Sequence, residues 1–241
     1  MPLPKKVFLF LLLALGPGFS AVAQTAPPPV WRGAAGQRAI TSLLFGKPAG
    51  RAASAQGPRA APATSATLPF RRDPAIARQA QALTVRQVKL TNETAAEQLG
   101  QLFASKDVLA AWGQALQAYG LTLNNVADAL TANWLVLYLC ANELTAPPPA
   151  AQVAGLRRQL RRVCALPSLA GRLRTSAQRQ QLADYLHLQS LLLNQAQSGA
   201  EAAQDTAAGA TLARRARQVA RQNMGFDPTT VRLTNQGLLR K

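Results

Sequence analysis

The stretch from Val126 to about Glu143 constrains this chain more than any other. Val126, Leu130, Trp134, Leu137 and Ala141 fall on one helical face, and Leu135, Val136, Tyr138 and Leu139 make the remaining faces apolar as well. A helix that is apolar all round has to be enclosed by other elements, so the sequence asks for a bundle with this helix at its centre. A membrane span needs ~20 apolar residues. The most apolar part, Ala132 to Ala141, is short and is interrupted by Asn133. Asn125 is a good N-cap for this helix, and Asp128 at N3 sets a negative charge at the positive end of the helix dipole.

Helical signals flank it on both sides. Asp73-Pro74 reads as an N-cap with proline at the first helical position, opening a helix with Ile76, Ala80 and Leu83. Its end is indistinct, because Leu83 to Leu90 also alternates like a strand. Thr94-Ala95-Ala96-Glu97 has the form of a capping box ahead of Leu99, Leu102 and Phe103. Asp107 to Tyr119 brings Leu109, Trp112, Leu116 and Tyr119 into register, and Gly120 stops it. After Pro147-Pro148-Pro149 a helix turns Val153, Leu156, Leu160 and Val163 inward and ends at Leu166-Pro167. Thr175 to Gln178 is a second capping box, opening a helix with Leu182, Tyr185, Leu186, Leu192 and Leu193, closed by Gly199. A last helix runs from about Glu201 to Met224, weakened at Gly209 and stopped by Gly225. A turn at Phe226-Asp227-Pro228 and a short extended piece, Val231 to Leu233, follow. The expected architecture is all-α, a single bundle of about six helices over residues 73–241.

The N-terminal part reads differently. Lys5 and Lys6, the apolar run Val7 to Leu15 and the small-x-small site Ala21-Val22-Ala23 have the order of a secretory signal peptide, residues 1–23. The expected location is therefore periplasmic or extracellular. Residues 24–72 are rich in Pro and Ala, carry basic residues and hold no acid, which predicts a disordered basic linker. Within it the apolar patch Ile40 to Phe45 either docks on the domain or a partner, or is plain linker.

Three stretches carry a resemblance. They are Glu97 to Phe103; Tyr119-Gly120-Leu121 leading to Asn125-Val126-Ala127-Asp128-Ala129 with Trp134 beyond; and Met224-Gly225-Phe226 leading to Leu233-Thr234-Asn235-Gln236-Gly237. Over about residues 92–238 the chain resembles an uncharacterised family of small exported bacterial helical proteins classed as a domain of unknown function. The resemblance implies an exported helical domain and supplies no catalytic residues.

The net charge is +17 with only ten acids, and removing Lys5 and Lys6 with the signal peptide leaves +15. Such a charge favours anionic surfaces and says nothing about fold. Arg157, Arg158, Arg161 and Arg162 share one helix side, and Arg214, Arg217 and Arg221 share another, with Arg215 beside them. They are candidate anion-binding residues for envelope polymers or lipid headgroups, against the plainer reading of a solvated face. No recognised nucleic-acid motif is present and aromatics are few, which speaks against specific nucleic-acid recognition.

Catalytic chemistry is sparse. A single histidine excludes a two-histidine metal site, and His187 follows Asp184 at helical spacing with no nucleophile placed near it. No hydrolase elbow, phosphate loop or dinucleotide fingerprint occurs, and no catalytic residue, metal or cofactor is expected. Tyr119, Asn125, Asp128 and Trp134 either line a pocket or serve as a cap with aromatic core anchors. Two function classes follow: a non-enzymatic envelope or secreted protein binding an anionic surface or a protein partner, or a hydrolase or lyase acting on cell-wall or surface polymers through an acid such as Asp128. Cys140 and Cys164 are expected to stay unpaired. An antiparallel hairpin about Pro147 to Pro149 offsets them by roughly 18 Å along the axis, beyond the ~7 Å that a disulfide allows.

Overall fold

The computed structural model describes Phe45 and residues 67–241. The expected signal peptide and the expected linker up to residue 66, Phe45 apart, lie outside the described residues. The helices are α1 (Pro74–Lys89), α2 (Glu93–Ser105), α3 (Val108–Gln117), α4 (Val126–Ala141), α5 (Ala150–Cys164), the four-residue α6 (Pro167–Ala170), α7 (Ser176–Ala202) and α8 (Thr206–Met224). A 3-10 turn (Pro228–Thr230) and an antiparallel hairpin, β1 (Val231–Thr234) with β2 (Gly237–Arg240), complete the chain. The fold is all-α, as the hydrophobic pattern requires, with the hairpin as its one small sheet among the described residues.

α4 is the enclosed helix. It is buried on every side from Val126 to Leu137, and α5, α7 and α8 pack around it. The turns that position it follow from local chemistry. Asn125 accepts from the backbone N–H of Asp128, Asp73 from that of Ala75, Asp107 from that of Ala110 and Asp205 from that of Ala208. The box at Thr175 and Gln178 is complete in both directions. α3 closes with the N–H of Gly120 on the carbonyl of Gln117 and that of Leu121 on Leu116, with Gly120 at φ +66°. That left-handed position carries no steric penalty for glycine. Gly225 does the same after α8, at φ +78°.

Several boundaries differ from the sequence reading. α2 begins at Glu93 and its cap is Asn92, not Thr94, because the Asn92 side chain reaches the Ala95 N–H first. α1 stays helical to Lys89 with Val88 buried, so the alternation after Leu83 is not a strand. α7 continues through Gly199 to Ala202, and the break comes at Gln204, left-handed at φ 52°. The extended piece at Val231 is half of a hairpin. Its partner strand packs on α5, where Gln159 accepts from the Leu238 N–H and donates to the Leu238 carbonyl. Gly155 lets the turn approach: a Cβ there would lie 2.4 Å from the Asn235 carbonyl oxygen.

The expected linker is also shortened at its far end. Leu68 and Phe70 are buried, and residues 67–73 lie as a strap across the starts of α4 and α7. The Phe70 N–H donates to the Asn124 carbonyl, the Val126 N–H to the Leu68 carbonyl, and the Asp73 backbone exchanges two hydrogen bonds with the Gln180 side chain. Alternating Leu68 and Phe70 around Pro69 give this strap an inward face that the proline-rich composition conceals.

Candidate functional site

The cap of α4 gathers more polar chemistry than any other point assigned from the sequence. Asp128 is fully buried. Its Oδ2 accepts from the Thr122 N–H (2.9 Å) and from Asn125 Nδ2 (2.7 Å). Arg157 of α5 meets it in a bidentate contact, Nε to Oδ1 at 2.6 Å and Nη2 to Oδ2 at 2.8 Å. Every carboxylate oxygen is thereby engaged, and the charge is neutralised inside the protein. Such a pair is a rigid clamp between α4 and α5. It leaves no free carboxylate for proton transfer to a substrate. Trp134 does not join it. It lies six residues along α4, about 9 Å up the axis, buried against the Phe226 ring at 5.9 Å. Tyr119 is half-buried, and its hydroxyl pKa is raised by burial. Of the four candidate pocket residues, Asn125 and Asp128 form the cap, Trp134 packs on Phe226, and Tyr119 lies against the core.

A second buried cluster forms at the strap. Arg72 reaches Asp184 (2.9 Å), and Gln180 donates to the same carboxylate at 3.0 Å. Burial raises the Asp184 pKa, against the opposing pull of Arg72 and Gln180. His187 lies three residues after Asp184 on the same helix, among leucines. It is fully buried, its Nδ1 accepts from Trp112 Nε1 at 3.1 Å, and desolvation with the Arg72 charge lowers its pKa to about 3. Asp184 gives its charge to Arg72, not to the imidazole. A groove of about 390 Å3 opens beside this cluster, lined by Arg72, Arg78, Lys106, Asp73, Asp107 and Phe103 among others. Its acids and bases offset one another, so it has no marked preference for charge.

The arginine stripes separate into spent and available charges. Arg157 is held by Asp128. Arg217 donates to the Ala141 carbonyl and to Glu143, and Arg221 pairs with Asp227. Arg214 is exposed on α8 and Arg162 on α5. Arg161 is half-buried, its Nε without a hydrogen-bond partner among the described residues. Arg158 is exposed and donates to the Asn235 carbonyl at 2.7 Å, which ties α5 to the hairpin turn. Sequence reasoning missed Arg232, Arg240 and Lys241, which are exposed on or just after the hairpin that packs on α5. Neither α5 nor the hairpin contains an acid.

The acids complete this picture. Asp73, Asp107, Asp205 and Asp227 cap helices or turns. Glu93, Asp128, Glu143, Asp184 and again Asp227 pair with bases. Of the ten acids only Glu97 and Glu201 stand outside these roles. Among the described residues no group of three or more His, Cys, Asp or Glu is placed to hold a metal ion, and no helix is long and apolar enough to cross a membrane. Comparison with family models, with curated proteins and with solved structures found no match.

Proposed function

We propose that this chain is a non-enzymatic exported protein that binds an anionic surface, an envelope polymer or lipid headgroups, through the face formed by α5 and the C-terminal hairpin. The observation that carries the reading is the distribution of charge. Eight of the ten acids are used in caps and ion pairs, whereas Arg158 and Arg162 on α5, Arg232 on the hairpin and Lys241 just after it are exposed, and neither packed element contains an acid. Close like charges repel, and an anionic surface relieves that repulsion. The signal-peptide order of residues 1–23 supports delivery to the periplasm or the medium, and the family resemblance points to export as well. The enzymatic alternative, a hydrolase or lyase acting on surface polymers through Asp128, has the buried bidentate clamp against it.

Retention on vesicles rich in phosphatidylglycerol, and on heparin, tests the binding. Retention is expected to fall as salt rises, since exposed charges are screened beyond ~8 Å at physiological ionic strength. The variant R158A/R162A/R232A is expected to lose most of it. Unchanged retention in that variant would exclude this face. Export is tested by intact mass: the protein recovered outside the cytoplasm is expected to begin at Gln24.

A further inference from the structure

Phe45 stands apart from the strap in sequence and is nevertheless seated on the domain. Its ring meets Phe226 edge-on, with centroids 5.0 Å apart and planes at 89°. Phe226 in turn meets Trp134 at 5.9 Å and 68°. The Arg240 guanidinium lies over the Phe45 ring, 5.3 Å from its centroid. These are the spacings at which aromatic pairs and cation–π contacts attract. Phe226 follows the Gly225 stop and Arg240 comes from β2, so two separate elements meet the Phe45 ring, and Trp134 of α4 backs Phe226 from behind. The ring closes the series Ile40-Thr41-Ser42-Leu43-Leu44-Phe45, the one markedly apolar patch in an otherwise basic, proline-rich stretch.

We propose that Phe226 and Arg240, backed by Trp134, form a recognition socket for a short apolar segment ending in an aromatic residue, and that its occupant is the chain's own Ile40–Phe45 segment, held in cis. Residues 46–66 join Phe45 to the strap, and fully extended they reach about 70 Å, enough to cross a small domain. A tether of that kind supplies an effective concentration in the millimolar range, so a contact of one aromatic side chain suffices to fill the socket. This assignment is independent of the anion-binding reading, because its contacts are aromatic and its residues are not those removed in the test above.

Timed trypsin cleavage of the full chain, read by mass spectrometry at Arg38 and at Arg59, tests it; Lys47 precedes Pro48 and is not a tryptic site. In the wild type Arg38, two residues before Ile40, is expected to be cut more slowly than Arg59. Phe45→Ala is expected to speed the Arg38 cut on the order of tenfold and to leave the Arg59 cut unchanged. Phe226→Ala risks the fold, so Arg240→Ala at the rim serves as the second variant, with a few-fold acceleration expected. Equal cutting at both sites in the wild type, or indifference to both variants, would overturn the socket. Sedimentation velocity then identifies the occupant. A monomer with Phe45-dependent protection supports the cis seat, and a dimer that Phe45→Ala dissolves would overturn it in favour of a second copy.

Discussion

Arg157 and Asp128 are 29 residues apart in the chain and share one planar contact, guanidinium edge against carboxylate edge. The two partners are not equally placed. The Arg157 side chain is 25% exposed and that of Asp128 is not exposed at all. Removing either leaves the other unpaired, but only the arginine can turn to water. Arg157→Ala is therefore expected to cost about 3 kcal/mol, and Asp128→Ala about 1 to 2 kcal/mol, from the general cost of breaking a buried pair discounted for exposure. Urea unfolding midpoints check the order. A smaller loss for Arg157→Ala would show that the carboxylate is satisfied without it.

His187 makes stability depend on pH. Its pKa is about 3 in the folded chain against 6.5 ordinarily, so between those values the unfolded chain binds the extra proton. Stability contributed by the neutral imidazole is complete above 6.5 and is lost as pH falls toward 3, at up to ~1.4 kcal/mol per pH unit. Asp184 acts in the opposite sense: its raised pKa favours the fold at low pH and is lost as pH rises through its folded value. His187→Gln keeps an acceptor for Trp112 and cannot titrate. Thermal midpoints of this variant are expected to vary less between pH 6.5 and 4 than those of the wild type. Identical pH profiles would place a titrating imidazole in contact with water.

Cys140 and Cys164 are both buried and free, and burial pushes both thiols up to about 12. At pH 8 the thiolate fraction is on the order of 10⁻⁴. A thiol reagent is expected to label neither in the native chain and both after denaturation without reductant. Zero labelling of the denatured monomer would mean that α4 and α5 bring the sulfurs together.

Two glycines in helices should respond with opposite signs. A Cβ at Gly155 meets the hairpin turn at 2.4 Å, and the atom it meets is backbone. Gly155→Ala is expected to cost about 2 kcal/mol, as overpacking does, and to speed amide exchange at Leu238. A Cβ at Gly100, in α2, has nothing within 4 Å. Gly100→Ala is expected to stabilise by about 0.5 to 1 kcal/mol, the ordinary helix-propensity gain. Chemical denaturation and hydrogen exchange measure both.

Local chemistry was legible in the sequence, and distant pairing was not. The caps at Asp73, Asn125 and Thr175, the stop at Gly120 and the all-round apolarity of α4 depend on neighbours within a turn or two of helix. Asn92 displaced Thr94 because two competent caps lay close together and composition does not rank them. Arg157 read as one of a stripe of four because its partner lies on another helix. Asp184 read as a companion of His187 because the true partner, Arg72, sat in a stretch whose prolines and arginines suggested no fixed structure. The cations of the hairpin escaped notice because Val231 to Leu233 showed only one strand of two. The stop in α7 moved from Gly199 to Gln204 because packing along α4 and α8 extends a helix past a single weak residue.

The side-chain bonds to the hairpin have a consequence for the chain in company. In the register of this ribbon, Leu233 and Leu238 face each other as a pair. The Leu233 N–H is taken by the Tyr138 hydroxyl at 3.2 Å, and both backbone groups of Leu238 are taken by Gln159. Exposed strand edges with free N–H and C=O groups recruit strands from other molecules and seed aggregates. Here an amide and a phenol from the helices imitate the missing neighbours, so each edge meets a side chain where a foreign strand would add.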